Sequence, residues 1–98
     1  MQPTTNAVPL KQASLLKQPL FGCLVREVRG LTKLTQGQFA AAIGVNYVTV
    51  SRWETGRIQP SELALRQVQS FIEKLSQSAA QPIQDRSKKL LEEYFAKM

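Results

Sequence analysis

The chain has 98 residues, 43% of them hydrophobic, and a net charge of +6 from 13 Lys and Arg against 7 Asp and Glu, which bounds it to one small domain and favours a polyanionic partner. It has no histidine and one cysteine, Cys23, so the commonest general base and an internal disulfide are excluded and no catalytic, metal or cofactor site is expected. No run of about eighteen apolar residues offers a membrane span, and the start MQPTTNAVPLKQ lacks the order of a signal peptide, so a cytoplasmic protein is expected.

In chain order, residues 1–19 carry Pro3, Pro9 and Pro19 among Thr, Gln and Asn, with Lys11 and Lys17 as the only charges. They read as a flexible N-terminal arm. Residues 20–78 read as the folded domain. Its first helix is expected near 21–29, with Leu24, Val25 and Val28 as its apolar set and Gly30 ending it. Two short helices follow within 36–54, QGQFAAAIGVNYVTVSRWE. Thr35 and Gln38 fit a capping box opening the first, and Asn46 fits the cap of the second. Between them Gly44 marks a turn needing φ > 0, and the small Ala40 lets the two helices cross closely. Phe39, Ile43, Val45, Val50 and Trp53 are the apolar residues beneath the pair. Gly56 closes the second helix, and Pro60 and Ser61 open the next, near 61–76, with Leu63, Leu65, Val68, Phe71, Ile72 and Leu75 at helical spacing. Residues 79–98 are a linker and an amphipathic helix starting at Pro82 and running to about Lys97. The β-branched stretch 45–50 could be misread as a strand, but its caps favour helix, and an all-α bundle is expected.

The segment 36–54 has the pattern of a helix-turn-helix, which places its second helix in the DNA major groove. With Val50 and Trp53 facing inward, Tyr47, Val48, Ser51, Arg52 and Thr55 face outward. Arg52 suits paired hydrogen bonds to guanine O6 and N7, and Val48 and the Tyr47 ring suit a thymine methyl. Tyr47, Val48, Ser51 and Arg52 are therefore the candidate base contacts. Lys33, Thr35, Gln36, Asn46, Thr49 and Arg57, in or beside the motif, are the candidate phosphate contacts. Trp53 reads as core rather than as a base-stacking platform, because it lies three residues from Val50. Glu54 has no second carboxylate, histidine or metal cluster beside it, which argues against catalysis. Cys23 reads as an inert thiol.

The sequence resembles the Cro/C1 (XRE) family of helix-turn-helix DNA-binding domains over 24–75. Arg29, Thr35 and Gln36, Phe39 and Ala40, the run Ile43, Gly44 and Val45, the run Val50 to Glu54, Gly56, Pro60 and Ser61 carry the resemblance. It implies a lambda-repressor-like fold, a compact bundle of about five helices. It also implies a phosphate contact from Gln36, base contacts from Tyr47, Val48 and Arg52, and an ion pair between Arg29 and Glu54 that fixes helix placement. Gly37 departs from the family's frequent Glu, at a cost under about 1 kcal/mol.

The function so implied is a sequence-specific double-stranded DNA-binding transcriptional regulator, a small prokaryotic or phage repressor, nucleoid-associated when bound. One recognition helix reads few base pairs, so a homodimer on a pseudo-palindromic site is expected at least on DNA. Leu90, Leu91, Tyr94, Phe95 and Met98 on the last helix either pack on their own domain, make a dimer or bind another protein. The alternative is an antitoxin that holds a protein toxin through residues 82–98 or the arm and represses its own operon. A protein-interaction module without DNA binding is disfavoured by Ser51, Arg52 and Arg57.

Overall fold

Apolar residues at 21, 24, 25 and 28 form one stripe at helical spacing. The computed structural model, which describes residues 16–96, buries that stripe on helix α1, Leu20–Thr32. Four further helices follow: α2 Gln36–Ile43, α3 Tyr47–Glu54, α4 Glu62–Leu75 and α5 Gln81–Leu91. A π-helical turn, Glu92–Ala96, extends α5. Among the described residues there is no strand. The fold is an all-α bundle in which α3 lies against α1 and α2, α4 against α2, and α5 against α4 and α1.

Local signals set most boundaries. The Thr35 Oγ1 accepts from the Gln38 N–H at 3.0 Å while Gln38 Oε1 accepts from the Thr35 N–H at 2.9 Å, completing a capping box. Gly44 ends α2 in the left-handed region at φ 89°, its N–H donating to Ala40 O. The Asn46 side chain accepts from the Val48 N–H at 2.8 Å to open α3, and Ser61 Oγ accepts from the Ala64 N–H at 3.1 Å to open α4.

Three expectations change. The first is the end of α1, which passes through Gly30 and stops at Lys33, a non-glycine residue at φ 61°. Gly30 is exposed and costs the helix only about 1 kcal/mol, while Leu31 and Leu34 continue the packing against the core. The second is the arm. Leu16 is buried in the core and Gln18 bonds to the body of the domain, so residues 16–19 belong to the packed unit; 1–15 lie outside the described residues. The third is Leu63, which is 61% exposed. It sits about 200° around the helix from Leu65, away from the face of Ala64, Leu65, Val68 and Ile72 that is buried.

The last helix packs inward. Leu90 is 0% and Phe95 3% exposed, and Leu91 and Tyr94 pack against the same core. Of the three readings open to those residues, packing on their own domain is the one that the burial bears out. α1 and α4 present an apolar seam, and α5 with its π turn fills it within one chain. Tyr94 Oη donates to Glu27 Oε2 at 2.6 Å and Arg86 Nη2 donates to Glu27 Oε1 at 2.7 Å, tying both parts of the C-terminal segment to α1. Met98 lies outside the described residues.

The core joins all five helices. Phe21 and Trp53 meet edge to face at 5.0 Å between ring centres, and Phe39 and Phe71 at 5.6 Å, contacts worth about 0.5–1.5 kcal/mol each beyond the area they bury.

Candidate nucleic-acid interface

Helix α3 carries its inward and outward residues at helical spacing. Val50 and Trp53 are buried, and on the other side Tyr47 is 57% and Val48 43% exposed. Arg52 and Thr55 are exposed and Ser51 is half-buried. Positions 47, 48, 51, 52 and 55 thus share one face, related by steps of three and four. The face presents an aromatic ring, a branched aliphatic group, hydroxyls and a guanidinium. Among the described residues no acid pairs with Arg52. Thr55 Oγ1 donates to Ser51 O at 3.1 Å, so its proton is used inside the helix end.

The C-terminal end of α3 explains why that face is held in place. Arg29 reaches from α1 to the carboxylate that ends α3: Nε donates to Glu54 Oε2 at 2.6 Å and Nη2 to Glu54 Oε1 at 3.0 Å. Its third donor, Nη1, bonds Leu34 O at 3.0 Å. Gln36 Nε2 adds a bond to Glu54 Oε1 at 3.0 Å from the first turn of α2. Arg26 donates to the Glu54 backbone carbonyl, satisfying an acceptor left over at the helix end. Burial pushes the Glu54 carboxyl up, but the hydrogen bonds from Arg29 and Gln36 and the charges of Arg29 and Arg26 outweigh it and hold it below its ordinary value. The same hydrogen bond raises Arg29. Three helices therefore meet at one carboxylate, fixing the axial position and rotation of α3.

The other candidate positions distribute around this frame. Lys33 caps α1 and is exposed, and Arg57 lies in the exposed turn after α3 with its N–H bonded to Arg52 O. Neither has an ion pair among the described residues. Thr35 and Asn46 stand at the starts of α2 and α3, each with its side-chain oxygen accepting a backbone N–H. Their remaining hydrogens, the Thr35 hydroxyl and the Asn46 amide, are left to donate outward. Thr49 is half-buried. Gln36 departs most from a simple contact. One of its amide hydrogens is committed to Glu54, leaving the other and the backbone N–H of a helix first turn, which has no helical acceptor. Ala40 is buried on α2, the helix that packs against both α3 and α4. Gly44 is needed for φ alone, since a Cβ there would meet only Gln67 Nε2 at 3.9 Å.

The close approach between backbones occurs elsewhere, at Gly22. A Cβ on this α1 residue would collide with the Trp53 carbonyl oxygen on α3. An isolated glycine inside an apolar-periodic helix was the available signal, because it costs about 1 kcal/mol and so usually has a packing reason. Gln18, Arg26 and Glu27 carried no comparable signal, since their partners are distant in sequence.

With this geometry in place, comparison with known families decides the assignment: a family model described as a helix-turn-helix domain matches residues 20–71. The chain belongs to that family. It is a Cro/C1-like helix-turn-helix protein, and the family is one of DNA-binding regulators. No curated protein and no solved structure matches the chain. Among the described residues of this helix-turn-helix protein, no helix is long and apolar enough to cross a membrane and no cluster of three His, Cys, Asp or Glu could hold a metal ion.

Proposed function

We propose that this helix-turn-helix protein is a sequence-specific transcriptional regulator that reads the major groove of double-stranded DNA and acts as a repressor. The observation that carries the reading is the exposed face of α3, where Tyr47 and Val48 stand open and Arg52 has no ion pair among the described residues. Tyr47, Val48, Ser51 and Arg52 read base edges, with Arg52 bidentate to a guanine. Lys33, Thr35, Gln36, Asn46, Thr49 and Arg57 take phosphates on either side. The Gln36 contact uses its backbone N–H and its second amide hydrogen. One such helix reads only a few base pairs, so two copies act on a pseudo-palindromic operator and exclude polymerase from it. With Leu90 and Phe95 used inside the fold, pairing takes another surface.

The test is selection of bound duplexes from a random-sequence pool, followed by sequencing. A recovered inverted repeat supports the reading, and recovery of unenriched sequence overturns it. Arg52→Ala weakens binding to the selected duplex by about 1–3 kcal/mol and relaxes preference at one base position. Equal loss on selected and random DNA assigns Arg52 to a phosphate instead.

A further inference from the structure

Residues 16–19 approach the end of the recognition helix opposite its DNA-entering tip. Leu16 is anchored in the core, and Gln18 beside it uses both ends of its side-chain amide. Gln18 Oε1 accepts from the Gly22 N–H at 2.8 Å. Gln18 Nε2 donates to Trp53 O at 2.7 Å and to Ile58 O at 3.0 Å. Its backbone N–H donates to Gln59 Oε1 at 2.9 Å. One residue thereby joins the first turn of α1, the last turn of α3, and the far side of the turn 55–59.

That turn has little else to define it. Residues 55–59 are all exposed, so apolar burial contributes little to its shape and hydrogen bonds must set it. It leaves α3 through Gly56 at φ 75°, with the Gly56 N–H on Trp53 O and the Arg57 N–H on Arg52 O. These bonds fix its start. The bonds to Gln18 fix where it ends, at Ile58 and Gln59, and Arg57 lies between the two anchors. Gly22, whose lack of a Cβ admits the Trp53 carbonyl, brings that carbonyl within reach of the same amide.

We propose that Gln18 is a positioning residue for DNA binding, holding the turn after the recognition helix so that Arg57 meets a phosphate while α3 occupies the groove. The inference rests on the reading of Arg57 as a phosphate contact. Gln18 itself touches no DNA; it acts through the turn. Loss of its side-chain amide releases the turn at Ile58, leaving only the backbone bond to Gln59, and loosens Arg57 from the docked geometry while Arg57 keeps its charge.

The experiment is a double-mutant cycle on the full chain with the duplex recovered from the random pool, measuring affinity against salt for the parent, Gln18→Met, Arg57→Ala and the double variant. Met keeps length and packing while removing both donors and the acceptor. Thermal unfolding by circular dichroism sets a temperature at which all four are folded. Arg57→Ala is expected to lower the salt slope by about one in the parent. In the Gln18→Met background that decrement shrinks. A purely structural Gln18 would lower the melting temperature and leave the Arg57 decrement unchanged, which overturns the inference while the phosphate contact stands. No decrement in the parent overturns the contact and the inference together. If Gln18→Met does not fold, Gln59→Ala, which removes an exposed partner of the same residue, takes its place. A smaller Arg57 decrement in it supports the proposal, and an undiminished one refutes it.

Discussion

Replacing Arg29 with Met tests how α3 is held. The substitution keeps an apolar stem of similar reach and removes three donors, two on Glu54 and one on Leu34 O. Glu54 is left with one hydrogen bond, from the Gln36 amide, and the nearby charge of Arg26, on a side chain only 7% exposed. Breaking a fully buried pair from one side costs about 3–5 kcal/mol. The Arg29 side chain is 26% exposed, so water already screens part of the interaction and about 2–3 kcal/mol is expected. For a domain of this size that lowers Tm by roughly 10–20 °C. The pH dependence gives a sharper check. In the parent, the folded carboxyl of Glu54 sits below its ordinary value. Its contribution is therefore full above about pH 4.3 and lost as pH falls through the folded value. Without Arg29, only the Gln36 bond and the Arg26 charge oppose burial, so the folded carboxyl rises. The variant's deficit is then largest at neutral pH and shrinks as the medium is acidified through the variant's folded value. Urea unfolding across that range measures it. A deficit below about 0.5 kcal/mol, the ordinary effect of a surface substitution, or one that grows on acidification, would refute the account. Arg29→Met with Glu54→Met should recover most of the loss, because no buried charge remains.

Gly22→Ala gains about 1 kcal/mol of helix propensity but forces α1 from the Trp53 carbonyl, an overpacking cost of about 1–3 kcal/mol; a raised Tm would show that the two backbones can separate freely. Gly44→Ala meets only the Gln67 amide at ordinary contact distance, so it should cost only the left-handed backbone penalty of about 1–2 kcal/mol, and a much larger loss in urea unfolding would mean a steric role. Lys33→Gly relieves the positive φ and should stabilise by about 1 kcal/mol while lowering the salt slope of DNA binding by about one; an unchanged slope removes Lys33 from the phosphate contacts. Leu90→Ala should cost about 2–5 kcal/mol as a core truncation without altering sedimentation, and a stable variant with weakened self-association would restore the last helix as an interface.

The elements of the motif were legible because their causes are local. The Thr35 and Gln38 box, the Asn46 and Ser61 caps, the Gly44 turn and the spacing of Val50 with Trp53 all act within a few residues along the chain, which is the reach of a helical turn. The meeting of Arg29 with Glu54 spans 25 residues and was accessible through resemblance to a family rather than through spacing. What only the tertiary structure decided lies at longer range. Gln18 meets Trp53 across 35 residues, and Tyr94 meets Glu27 across 67; no periodicity encodes either. The last helix shows the same division. Its amphipathic character was plain in the sequence, but amphipathicity states only that a face must be covered. Whether a second copy or the chain's own α1 and α4 covers it depends on the seam those helices leave when packed, and that seam exists only after the chain has folded.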